Sequence, residues 1–240
     1  MLVALTLLAV TAALIGRLGV SRAVVSASVR AVVQLAAVSL LIAAVLRSWW
    51  ATAAFITLMV IVAAATSARR IGGWGLVRFT IVPIAAGAMP VGGLIVVAGT
   101  VPRSEVAVLP IAGILIGGAM TATSLAGRRA LDELRNRFGE YEAALALGFM
   151  PRDAVLEVCR PTAGQALVPA LDQTRTVGLV TLPGAFVGVL LGGGSAAQAG
   201  ATQLLVLVAL LAVEAIAVTV TIELVAVGLV RRTEASRGAA

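Results

Sequence analysis

The sequence predicts an all-α polytopic membrane protein with about seven transmembrane helices, an outside N-terminus and an inside C-terminus. Three observations lead there. Of 240 residues, 60% are hydrophobic and only 12% charged, and the mean hydropathy is +1.08; a soluble domain sits nearer half apolar and a quarter charged. The apolar residues form long continuous runs rather than an alternating pattern, which argues for helices and against a barrel. The positive charges are distributed asymmetrically between the connections.

Seven apolar runs follow in order, at residues 2–18, 31–46, 49–65, 79–99, 106–127, 174–191 and 202–230. At ~1.5 Å rise per residue each covers most or all of a ~30 Å hydrocarbon core, the shorter ones with help from flanking residues. The first is expected to be a retained span rather than a cleaved signal peptide, because Arg17 and Arg22 follow its apolar run instead of preceding it. Aromatics are only 4% of the chain, and the apolar count is filled by Ala, Val, Leu and Gly, small enough to let helices approach closely within a bilayer.

With the N-terminus outside, the inner connections hold Arg17, Arg22 and Arg30, then Arg69, Arg70 and Arg78, then Arg128, Arg129, Arg135, Arg137, Arg152 and Arg160, then Arg231, Arg232 and Arg237. The outer connections hold Arg47 and Arg103, and Arg175 stands at the edge of the sixth run. This is the positive-inside distribution. The net charge of +7 is therefore read as a set of topology markers, and no nucleic-acid partner is expected. The location is a cell (inner or plasma) membrane, crossed several times.

Composition excludes several chemistries. There is no lysine, so the chain cannot carry a P-loop, which needs Lys on the phosphates; any ATP is used by another polypeptide. There is no histidine and one cysteine, Cys159, which excludes an internal disulfide and nearly excludes zinc or copper sites built on Cys and His. No Ser or Thr has a plausible base within a motif. The chain is expected to be no enzyme and to bind no cofactor of its own.

The outer connections are short, and the one sizeable polar stretch, from residue 128 to about 173, is inner. Leu131, Leu134, Phe138, Tyr141 and Leu145 recur at steps of three and four, which places them on one helix face. Glu133 and Arg137 form a favourable i,i+4 pair on the polar side. Gly148 is a natural helix stop and Pro151 suits the first turn of a new helix. Residues 128–161 thus predict a cytosolic helical hairpin with its tip at 148–152, within one permease domain covering 1–240. Periodicity alone allows the hairpin simply to pack on the inner membrane surface.

The spacing E-A-A-x-x-x-G at Glu142, Ala143, Ala144 and Gly148, followed by Val158 and Pro161, resembles the EAA loop of ABC transporter permeases, which docks a short helix in a groove of the ATPase. Val158 stands for an Ile of that pattern, and Arg160 departs from its Leu. More widely, "RAVVQL" (30–35), "PIAGILIGGAMTATSL" (110–125), "EAALALG" (142–148), "ALVPALDQTRTVGLVTLPG" (166–184) and the Gly-rich run to Gly194 resemble the permease family UPF0014, in family order. That family includes Fet-type iron-export permeases and plant relatives linked to aluminium tolerance. The resemblance implies a homodimeric permease working with a separate ABC ATPase, with iron or another metal cation as cargo. It assigns ATPase coupling to Tyr141, Glu142, Ala143, Ala144, Leu147, Gly148, Pro151 and Arg152. One departure stands out: Gly118 occupies a position where the family pattern leads one to expect Asn.

Polar or helix-breaking residues within the runs are candidates for the substrate path, each beside a plainer role. Arg30 is an inner anchor or a path residue, and Gln34, one turn deeper, wants a polar partner. Thr121 and Ser124 bond their own helix backbone or line the path; Met120 packs, or offers sulfur to a soft cation, as does Met89. Asp172 and Arg175, three apart, form an interface pair with Arg175 snorkelling, or a gate moved by the ATPase. Pro183, within Leu182-Pro183-Gly184, breaks the sixth run, as path-lining helices of transporters often are broken; Gly184, Gly188 and Gly192 make a smooth face suited to close packing or a dimer seam. Glu214, near the middle of the seventh run, is a functional carboxylate or bonds across a dimer. No set of metal ligands is assigned.

The expected function is the membrane permease subunit of an ABC transporter that exports iron or another metal cation, driven by a separate ATPase subunit. An ABC importer permease, or a non-transport membrane scaffold that recruits a cytosolic partner, are the alternatives.

Overall fold

The computed structural model describes residues 1–231; Arg232 and Arg237, counted above among the inner arginines, lie outside the described residues. Ten α-helices are present among the described residues, and the chain divides into two compact units, Met1–Thr52 and Ala53 onward.

In the first unit, α1 (Leu2–Ile15) packs against α2 (Ser21–Val45) through a turn at which Arg17 and Gly19 take positive φ, 50° and 69°. Thr52 closes the unit by donating its hydroxyl to the Val45 carbonyl at 3.0 Å, which satisfies one of the orphan carbonyls at the end of α2.

The second unit contains α3 (Trp49–Ile71) from residue 53, α4 (Val77–Val97), α5 (Glu105–Asn136), α6 (Phe138–Ala146), α7 (Pro151–Ala163), α8 (Val168–Thr176), α9 (Gly184–Leu191) and α10 (Ala196–Ala226). Its organiser is α10, which packs against α5 and α4 and also touches α7, α8 and α9. Small residues set the spacing. Ala64, Ala68, Ala119, Ala122, Ala126 and Ala217 are fully buried around Ile84, Leu115 and Val213. A Cβ on Gly87 would stand 2.6 Å from the Val213 carbonyl oxygen, and one on Gly127 would stand 2.6 Å from the Ile71 side chain. Helices without a water-driven force between them gain their stability from such contact and from interhelical hydrogen bonds. Two such bonds tie α3 to its neighbours: Ser67 donates to the Met120 carbonyl of α5 at 3.1 Å, and Thr80 of α4 donates to the Ala64 carbonyl at 2.8 Å.

Among the described residues, five helices are long and apolar enough to cross a membrane: Ser21–Ile42, Trp49–Ile71, Trp74–Val97, Glu105–Asn136 and Ala196–Ala226. The many-span, all-helical architecture agrees with the expectation; two of the seven predicted runs take a different local form. The first run forms a helix of 14 residues, ~21 Å at 1.5 Å per residue and short of a ~30 Å core. The sixth is not one helix. Its chain leaves α8 at Thr176, turns through 177–183 with Gly178 at φ 81° and an isolated bridge between Val177 and Thr181, and restarts as α9 at Gly184 behind Pro183. Pro183 removes a donor and holds an extended backbone at the N-cap, so the helix cannot run through it.

The broken stretch nonetheless runs the length of the unit. The α6–α7 hairpin follows the C-terminal end of α5 and is ion-paired to Glu223 near the C-terminal end of α10. At the other end of α10, Gln203 accepts a hydrogen bond from the Phe186 amide of α9 at 3.2 Å. Between these ends lie twenty residues of helix, ~30 Å. The chain therefore returns from the hairpin end to the far end through α8, the turn and α9, in pieces.

Candidate functional site

The hairpin is built by local rules. α5 stops at Asn136, Arg137 leaves the helical basin with φ −112° and ψ 32°, and α6 begins at Phe138. The first arm is thus two helices, where the sequence pattern suggested one. Arg137 holds the joint. Its guanidinium donates to Glu140 at 2.8 Å (Nε–Oε1) and reaches across to the Val158 carbonyl of α7 at 3.2 Å. The expected partner Glu133 is farther, at 3.8 Å. The hydrogen bond from Arg137 holds the Glu140 carboxyl below its ordinary range, and the same bond raises Arg137.

At the tip, Gly148 takes φ 92°, a region open to Gly at little cost, and its amide donates to the Leu145 carbonyl while that of Phe149 donates to Ala144. α7 then opens with Pro151 in its first turn. Of the residues assigned to coupling, Glu142 and Ala143 are exposed, Ala144 is buried against the rest of the hairpin, and Tyr141 is half-buried with its ring 5.7 Å from that of Phe138. Leu147 is 80% exposed. Beside it, Phe149 and Met150 are also exposed, so the tip presents three large apolar side chains to solvent. Phe149 and Met150 were missed by motif reasoning; the available signal was two apolar residues inside a turn.

Arg152 points back from the tip. Its Nη2 lies 2.6 Å and its Nε 3.1 Å from Glu223 Oε2, and Arg160 Nη2 lies 3.7 Å from the other oxygen of the same carboxylate. The bond to Glu223 raises Arg152 further. Two arginines of α7 thus grip one carboxylate of α10, seventy-one residues away from Arg152 in sequence. The underside of α7 is buried through Ala154, Val155, Leu156, Val158 and Cys159, and the Cys159 thiol donates to the Ala130 carbonyl of α5 at 3.6 Å. α7 is consequently fastened to α5, α6 and α10 together.

The substrate-path candidates are not gathered in one place. Arg30 and Gln34 are exposed on α2. Thr121 bonds its own helix at the Gly117 carbonyl, 3.0 Å away, and Met120 lends its carbonyl to Ser67 and Ser124. Asp172 and Arg175 of α8 face each other at 3.7 Å with side chains 64% and 72% exposed, and Pro183 caps α9. Glu214 is 6% exposed on α10, against α5. A Cβ on Gly118 would lie 3.0 Å from Glu214 Oε1 and would meet the Leu210 side chain. Gly118, the one departure from the expected pattern, therefore leaves the space that Glu214 fills. No group of three or more His, Cys, Asp or Glu side chains able to hold a metal occurs among the described residues.

Residues 1–229 match the sequence model of a family described as "Uncharacterised protein family (UPF0014)". Among curated proteins the chain is similar to Protein ALUMINUM SENSITIVE 3 of Arabidopsis thaliana, 39% identical over 93 residues, covering 39% of this chain and 34% of that protein. It is similar to the UPF0014 membrane protein STAR2 of Oryza sativa subsp. japonica, 38% identical over 93 residues, covering 39% and 33%. It is also similar to the Probable iron export permease protein FetB of Escherichia coli (strain K12), 32% identical over 96 residues, covering 38% and 36%. The matched stretch spans about a third of the length of these relatives, 33% to 36%. No solved structure matches.

Proposed function

Because this chain belongs to the UPF0014 family, we propose that it is the membrane permease subunit of an ABC transporter, driven by a separate ATPase subunit and exporting iron or another metal cation. The hairpin end is the inner side, with the N-terminus outside, and two copies of the permease work together. The observation that carries the reading is the hairpin tip. Leu147, Phe149 and Met150 are exposed apolar side chains on a short rigid knuckle, the kind of surface that enters a groove on a partner. Glu142 is exposed beside them to fix orientation by charge. The metal cargo is suggested by the name of one relative, a probable iron export permease.

In this reading the partner binds and hydrolyses ATP and moves the tip. The strapped helix α7 passes that displacement to α10 through the two arginines on Glu223. The test is co-purification of the permease with its ATPase, comparing wild type with Glu142→Arg and Gly148→Leu, followed by cation flux in sealed vesicles. Both variants are expected to lose the complex and the flux. An intact complex and flux in both would sink the docking assignment, and a complex whose ATP turnover ignores every cation would leave a scaffold instead.

A further inference from the structure

At the hairpin end of the second unit, behind the tip and apart from the candidate path, lies a cavity of about 1230 Å³. Arg69 and Arg70 from the end of α3, Arg135 from α5 and Arg231 beyond α10 all line it, and among the described residues no Asp or Glu does. All four arginines are exposed, and no carboxylate is ion-paired with any of them among the described residues. The rest of the wall is largely apolar, including Leu131, Leu134, Phe138 and Val225. Arg69 also lies 5.0 Å over the ring of Trp74, which is 65% exposed beside the cavity.

We propose that this cavity is a binding site for the headgroup and upper chain of an anionic phospholipid. Four clustered guanidinium groups with no counter-charge among the described residues favour an anion. Guanidinium groups match phosphate oxygens in paired hydrogen bonds. The apolar wall beside them selects an amphiphile over a free ion, because a bare phosphate leaves that wall in water. The location agrees, since α3 and α10 both end there and the ends of spanning helices meet the headgroup layer, where Trp rings also settle. Basic pockets between membrane helices hold acidic headgroups in this way. Tyr141, Pro151 and Val155 line the cavity too, so a lipid seated there braces the hairpin from behind. The inference needs only that the chain spans a membrane, and it survives or fails independently of the ATPase.

The test uses the purified full chain in neutral-lipid micelles, with thermal unfolding followed as phosphatidylglycerol, phosphatidylcholine or inorganic phosphate is added. Phosphatidylglycerol is expected to raise the midpoint, and the other two are not. In Arg69→Gln/Arg70→Gln the concentration needed should rise roughly 25-fold, about fivefold per arginine, while Arg22→Gln, outside the cavity, should match wild type. Equal stabilisation by inorganic phosphate, or an unchanged lipid response in the double variant, overturns the proposal. A second measurement does not depend on the arginine variants folding. With Trp49 and Trp50 replaced by Phe, brominated phosphatidylglycerol should quench Trp74 more strongly than brominated phosphatidylcholine, and equal quenching overturns the site.

Discussion

Cys159 shows how one side chain reports on its surroundings. It is 1% exposed, it donates to Ala130, and burial pushes its thiol up to about 11. The neutral thiol is the form the fold accepts, so its contribution to stability is fully present below the ordinary thiol value of 9.0 and is lost as pH rises towards about 11. Two outcomes are expected: no reaction with a maleimide at pH 7.5 until the chain unfolds, and a fall in the unfolding midpoint between pH 9 and 11 that Cys159→Ala lacks. Fast labelling of the folded chain would contradict the burial. At the same scale the sequence was readable where a residue's role is local. Gly148 and Pro151 announce the turn because only certain backbones suit them. Glu223 carried no such mark, because its partners Arg152 and Arg160 are supplied by a helix far off in sequence.

The same limit governs whole elements. Long apolar runs located α3, α4, α5 and α10, since hydropathy and length decide a spanning helix, though α3 and α5 run six and nine residues past their apolar stretches and α10 starts six residues earlier. The interruption at Arg137 was invisible, because a helical pattern continues through it and the break is held by tertiary bonds to α7. α7 itself is the element whose fastenings matter most. Arg152→Glu should repel Glu223 and loosen α10 from the hairpin while leaving the apolar Leu147, Phe149 and Met150 in place. If the proposed ATPase partner drives the chain, that variant is expected to hydrolyse ATP with little cation transport, and Arg152→Glu/Glu223→Arg should recover part of the ratio of transport to hydrolysis, the remainder being lost to repulsion from Arg160. A swap that restores nothing would show that the pair only adds stability.

Across the second unit as a whole, α10 supplies a spine and the small-residue faces of α4 and α5 close on it. Gly87→Leu should be among the most damaging single changes, because its side chain has no room beside the Val213 carbonyl; loss of the folded, monodisperse protein in detergent is the expected readout. The return passage through α8 and α9 has a different character. Leu179 is 92%, Val180 77% and Leu182 60% exposed in the turn between α8 and α9, where the regular helix is interrupted. Oil offers no partner to an amide or carbonyl, and a backbone that pauses between the two faces of a bilayer must be wetted or covered. A cysteine placed at residue 179 in a Cys159→Ala background should therefore either react with a water-soluble maleimide or cross-link to a second copy. Inertness on both counts would put the turn at the bilayer edge. A turn held at mid-depth would thus make α8 and α9 a place where water or a second protein surface meets the hydrocarbon layer.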